Sequence, residues 1–199
     1  SMDALGDILQ SINLRGSVYF DACFGSEWGM ELEQFPHSIF HIIVKGDAWL
    51  QMTGPLEKTV KLVAGDIVIF PKGASHKLSK DLDSECVPAV SIVEAYANGE
   101  REFFGEGDDF AIICGYIDYN KFFEHPFLTN LPDCIHVNSR IRSKFDWLDN
   151  VIRQIVLESK ECKPASAALI DKFTEALFIQ VIRAHVEDTK YVLSYLAAL

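Results

Sequence analysis

The segment Gly65-Asp66-Ile67-Val68-Ile69-Phe70-Pro71-Lys72-Gly73-Ala74-Ser75-His76 constrains the fold more than any other stretch of this chain. Its fixed positions read G-x5-P-x-G-x2-H, and each has a structural reason. Gly65 and Asp66 open a strand out of a turn, Pro71 and Gly73 make a tight corner that asks for no ladder donor, and His76 falls on the next strand. A chain built around such a corner must pair short strands.

The surrounding sequence agrees. Apolar residues come in short runs at Phe40 to Val44, Ala48 to Met52, Val60 to Val63, Ile67 to Phe70, Val87 to Val93 and Phe110 to Ile117. Between them stand Gly46, Gly54-Pro55, Gly65-Asp66, Pro71-Lys72-Gly73 and Asn98-Gly99, each able to supply a turn. Many short strands at this spacing predict a sandwich or a barrel.

After Asp118 the period changes. Phe145, Leu148, Ile152 and Ile155 recur as an amphipathic helix requires, Pro164 interrupts, and Ile170, Phe173, Leu177, Val181 and Ala184 rebuild a helical stripe. Leu169, Phe178 and Ile182 widen that stripe to a second face. A short connection predicts an antiparallel helical pair, and the extra apolar surface suits packing on a second subunit. Tyr191, Val192, Tyr195, Leu196 and Leu199 begin a further stripe that stops without a cap, as expected of a fragment cut from a longer protein. At the other end Ser1 precedes Met2, an order expected of a residue left by cloning.

Charge excludes one class of partner. Against 18 Lys and Arg stand 29 Asp and Glu in the 199 residues, a formal charge of −11, the wrong sign for neutralising phosphates. No run reaches the roughly 18 apolar residues of a membrane span, so a soluble, cytoplasmic protein is expected. Cys23, Cys86, Cys114, Cys134 and Cys162 include no C-x-x-C pair, and reduced thiols are the expectation.

The Gly65 to His76 string resembles the second sequence motif of the cupin superfamily, with Lys80 where the family has a final Asn. The resemblance implies a cupin jelly-roll β-barrel with a pocket between its sheets. The first motif of that family, an H-x-H followed by Glu and a later Gly, is not matched: aligned on Gly46, its Glu position falls on Ile39 and its histidines on Glu31 to Gln34. What the chain offers instead is His41, two residues beyond Ile39 and on the same strand face, with His76 and the later strand residue Cys114. Two imidazoles and a thiolate suit zinc if they converge. They equally suit a pair of hydrogen-bonded core histidines, and both readings stand. His37, His125, His136 and His185 rank lower, His37 and His125 standing beside prolines in loops and His185 on the second helix.

Further strings narrow the resemblance. Leu14-Arg15-Gly16, Trp28-Gly29, Phe40 through Leu50, Cys114-Gly115-Tyr116, His125-Pro126-Phe127-Leu128 and Leu131-Pro132 together look like the N-terminal cupin domain of AraC-type transcriptional regulators. That implies a β-barrel over 1–138 that senses a small-molecule effector, helices over 139–199 that form a homodimer, and DNA contact only through a C-terminal helix-turn-helix domain absent from this chain. His41, His76 and Cys114, with Trp28 and Trp49 as aromatic walls, are the expected ligand-binding residues. No catalytic residue is expected. Two other functions compete: a small metal-dependent cupin enzyme of dioxygenase or isomerase type, and a plain dimerisation module with a filled interior.

Overall fold

Strands that alternate between two apolar faces organise the molecule. The computed structural model describes residues 3–11, 14–52, 58–100, 103–119, 126–138 and 146–188. One five-stranded sheet runs β1 (Arg15–Phe24), β9 (Phe110–Asp118), β3 (Ser38–Lys45), β6 (Ile67–Phe70), β10 (Ile135–Val137). The other, also five-stranded, runs β5 (Lys58–Val63), β4 (Asp47–Met52), β7 (His76–Ser79), β2 (Gly29–Leu32), β8 (Val87–Pro88). Neighbours pair antiparallel except β2 with β8.

The arrangement is jelly-roll-like, but the expected barrel is not closed. The two sheets face each other without a ladder joining them. Instead α2 (Ala89–Ala97) packs against β1 at the edge of the first sheet and against β2 and β8 at the edge of the second. This helix corrects the expectation of a strand from Val87 to Val93. After Val87 and Pro88 the chain turns helical, burying Ile92 and Ala95 at a spacing of three. A short, mostly apolar run such as Val87 to Val93 carries little contrast between a period of two and one of 3.6, so tertiary packing decided its form.

The central strands β3, β6 and β9 of the first sheet are buried on both faces, which is why they read as nearly unbroken apolar runs. On β3, Ile39 and Ile43 point toward the second sheet, while Phe40 and Ile42 point away. The same alternation sends Val68 and Phe70 of β6 inward and Ile67 and Ile69 outward. The outward residues meet α4 (Asp146–Glu161) and α5 (Ser166–Asp188), which contribute Leu148, Ile152, Ile155, Leu177, Phe178 and Val181 to one core. The remaining helices, α1 (Ala4–Ser11) and α3 (Pro126–Thr129), add Leu9 and Phe127 to it.

The expected helical pair is present and breaks at Pro164, where Ser166 Oγ donates to Glu158 Oε2 at 2.6 Å across the turn. Helix α5 lies so close to β1 that a Cβ on Gly16 would stand 2.8 Å from Thr174 Cγ2. Phe145, His125 and the stripe from Tyr191 to Leu199 lie outside the described residues.

The corner between β6 and β7 is held from several sides. Gly73 has φ +68°, and a Cβ there would fall 2.0 Å from the Phe35 carbonyl oxygen. Phe35 N–H donates to Gly73 O at 2.9 Å, Gln34 Nε2 to Lys72 O at 2.6 Å, and Ser38 Oγ to Pro71 O. The corner thereby carries β7 into the interior at a fixed height.

Candidate functional site

Antiparallel register places His41 of β3 directly opposite Cys114 of β9, both on the face turned toward the second sheet. His76 opens β7 on the facing sheet. The sequence reading therefore brought together three residues that do meet. His41 Nδ1 lies 2.8 Å from Cys114 Sγ, and His41 Nε2 lies 2.8 Å from His76 Nε2. His76 Nδ1 lies 2.8 Å from the Ala74 carbonyl oxygen.

Neutral rings allow one proton order along this chain of contacts. A carbonyl can only accept, so His76 Nδ1 carries the proton and donates to Ala74 O. His76 Nε2 is then an acceptor, His41 Nε2–H donates to it, and His41 Nδ1 accepts from the Cys114 thiol. Both rings are buried, and burial holds both below the ordinary histidine range. For His41 the drop is large, desolvation being the first cause and His76 the second. For His76 desolvation outweighs the upward pull of the Ala74 carbonyl, and the pKa falls to about 4. The His76 ring also stacks on Phe70, with centroids 3.7 Å apart and planes 6° from parallel.

This geometry does not fit the zinc reading. Cys114 and His76 occupy opposite nitrogens of the His41 ring, whose lone-pair directions diverge. A single ion bound at one nitrogen is out of reach of the ligand at the other. His76 Nδ1 is committed to a carbonyl, and among the described residues no group of three or more His, Cys, Asp or Glu is arranged to hold a metal ion. None of the five cysteines forms a disulfide among those residues.

The two tryptophans stand apart from this group. Trp49 alternates with the buried Ala48 and Leu50, is half-buried on the outer side of β4, and has Lys61 Nζ 4.9 Å from its ring centroid. Trp28 is buried inside, stacked on Phe24 at 4.7 Å and Phe110 at 4.5 Å. Phe110 starts β9, so Trp28 marks the end of the interior away from the far-end residue Tyr116. Of the lower-ranked histidines, His136 Nε2 meets Asp66 Oδ2 at 3.0 Å, where Asp66 also accepts from Val63 N–H. His37 Nδ1 meets Asp118 Oδ1 at 3.2 Å.

Sequence reasoning missed the recess beside the histidines. A cleft of about 500 Å³ opens at the far end of β9, walled by Leu32, Phe35, Ile39, Val90, Val93 and Tyr116. Ile39 and Tyr116 sit two residues along their strands from His41 and Cys114, and Leu32 pairs across the ladder with His76. The one signal in the sequence was Ile39, an apolar residue where the cupin motif has a carboxylate. It forms part of an apolar wall.

Comparison with known proteins agrees with the fold. The family model Cupin_6, described as Cupin, matches residues 3–187. The chain is 28% identical over 205 residues to the HTH-type transcriptional regulator AlkR of Acinetobacter baylyi, covering 100% of this chain and 66% of that protein. It is 26% identical over 194 residues to the HTH-type transcriptional regulator MtrA of Neisseria gonorrhoeae, covering 95% and 60%. The chain thus spans under two thirds of the length of both. A solved apo structure of a ToxT variant from Vibrio cholerae strain SCE256 overlaps with a TM-score of 0.46 at 13% identity, covering 87% of this chain and 56% of that one. That likeness is too slight to bear on the site.

Proposed function

This chain belongs to the cupin family, whose model matches residues 3–187, and on that premise we propose that it is the small-molecule-sensing and dimerisation part of an AraC-type transcriptional regulator. The observation that carries the proposal is its alignment, end to end or nearly so, with two proteins named as transcriptional regulators. In this role DNA contact belongs to a part of the protein outside this chain, in keeping with a formal charge of −11 here. The setting is the cytoplasm.

The effector site in this reading is the interior between the sheets, where the cleft adjoins His41, His76 and Cys114. Strands β3 and β9 have one face on that interior and the other on the helical core. A ligand that favours one arrangement of these strands would bias the packing of α4 and α5, which is the differential interaction a switch requires. Leu157 of α4 and Leu169 of α5, 43% and 42% exposed, supply apolar surface for a second copy.

The test is a chimaera in which this chain replaces the matched segment of AlkR, read by a reporter under an AlkR-dependent promoter. Reporter output is expected to change with compounds that raise the melting temperature of this chain. Constant output across every compound that binds would overturn the proposal.

A further inference from the structure

A second recess lies where Trp28 marks the other end of the interior. Its volume is about 210 Å³, its lining includes Trp28, Ser84, Val87 and Phe103, and it shares no described lining residue with the cleft under α2. The Glu85 carbonyl lies so near β2 that a Cβ on Gly29 would stand 2.5 Å from its oxygen, which fixes the turn from Ser84 to Cys86 as one wall. Cavities of about 150 Å³ hold benzene, so this recess has room for a one-ring molecule.

Trp28 makes the recess more than a gap in packing. The residue is 4% exposed, an indole N–H can only donate, and Trp28 Nε1 has no hydrogen-bond partner among the described residues. Other buried polar side chains between the sheets are engaged: His41 with His76 and Cys114, His76 with Ala74 O, and Ser79 Oγ with Asp81 O. A buried donor left unpaired carries a desolvation cost that an incoming acceptor removes. We infer that the recess is a binding site, separate from the effector site, for a one-ring molecule that presents a carbonyl-type acceptor to Trp28 Nε1. Phe103 and Val87 give the ring its apolar contact. One N–H matches one carbonyl oxygen, whereas a carboxylate brings a full charge and a second oxygen that this donor cannot satisfy. Nε1 itself is buried, so the acceptor arrives by displacing part of the wall, where Phe103 is the large side chain that is only half-buried.

Acetophenone and isopropenylbenzene test this, since they differ only in carrying oxygen or a methylene group at one position. Each is titrated into the isotope-labelled chain and followed by heteronuclear NMR at the indole N–H signals, which Trp49→Phe and Trp147→Phe assign by elimination. Acetophenone should move the Trp28 indole proton downfield and saturably while the Trp49 signal stays in place. Isopropenylbenzene should bind without that downfield move. In Trp28→Phe, which keeps an aromatic ring and loses the donor, the ratio of acetophenone to isopropenylbenzene affinity should fall by about fivefold. Val87→Phe, which fills the recess, should remove saturable binding of both. Val93→Trp, in the cleft under α2, should leave both affinities within about twofold of the wild type.

A Trp28 signal that acetophenone leaves in place would mean that a water satisfies the N–H, and would overturn the site; this wild-type readout stands even if Trp28→Phe does not fold. An affinity ratio unchanged in Trp28→Phe would overturn the role of the donor. Binding lost in Val93→Trp and kept in Val87→Phe would put the probes in the cleft under α2 and sink the assignment. The regulatory reading is decided separately by the AlkR chimaera, because the recess does not rest on it.

Discussion

The first sheet separates two cores that differ in kind. Toward α4 and α5 the contact is mostly apolar, with Leu148, Ile155, Leu177, Phe178, Val181 and Ile182 closing on Ile42, Ile67 and Ile113, and with Tyr119 and Thr174 as buried hydroxyl-bearing members. Toward the second sheet the same strands bury Ile43, Val68 and Ile112 but also a hydrogen-bonded thiol and imidazole, and they leave a cleft beside them. Both faces come from one alternation of side chains. On the helical side the buried polar groups are hydroxyls, as where Tyr119 and Ser38 meet, whereas the facing sheets set two imidazoles tip to tip. The helical core therefore supplies stability, and the inter-sheet core holds chemistry that responds to its surroundings.

Truncation on the helical side should produce the largest effect. Phe178 is 1% exposed and packs 5.4 Å from the Tyr119 ring, so Phe178→Ala is expected to cost about 3–5 kcal/mol in urea unfolding. The pH dependence of its stability should stay that of the wild type, because the histidine pair lies on the other side of the sheet. A lost pH dependence would show that the two cores cannot be separated.

On the inter-sheet side, His76→Ala removes the acceptor of His41 Nε2–H and should cost roughly 2–3 kcal/mol in the same unfolding measurement. The double change His41→Leu with His76→Leu should cost less than the sum of its single changes, because it leaves neither ring nitrogen orphaned. Additive costs would mean the histidines do not form one hydrogen-bonded unit.

A smaller effect of the same pair appears on acidification. Both histidines have folded pKa values below the unfolded 6.5, that of His76 at about 4, so the stability they contribute is complete above 6.5 and is lost as pH falls toward 4. Between pH 7 and pH 5 His76 alone should account for about 2 kcal/mol, with His41 adding in the same direction. The double leucine variant should flatten this dependence. A wild-type unfolding midpoint constant from pH 7 to pH 5 would contradict a buried neutral pair.

Much of the architecture was legible in the sequence because it depends on local signals. The corner at Pro71 and Gly73, the strand runs on either side, and the helical stripes broken by Pro164 each carry their own punctuation. The strand period of two was also enough to place His41 inward, and the motif spacing placed His76 at the head of a strand. By contrast, the run after Val87 held no periodic contrast, and a helix formed where a strand was expected. Trp49 was ambiguous for a similar reason: its bulk suggested an interior wall, but alternation with Ala48 and Leu50 turns it outward.

By itself, the sequence determined which residues turn the chain and which faces are apolar, and its motif resemblance singled out two imidazoles and a thiol. Only the tertiary structure decided how those three meet. Register sets Cys114 on one nitrogen of His41 while the facing sheet sets His76 on the other, making a hydrogen-bonded line rather than a metal-binding triad. The cleft beside them has the same origin. Its walls come from β2, β3, β9 and α2, far apart in the chain, and a periodicity that assigns a face to each side chain carries no information about the distance between sheets.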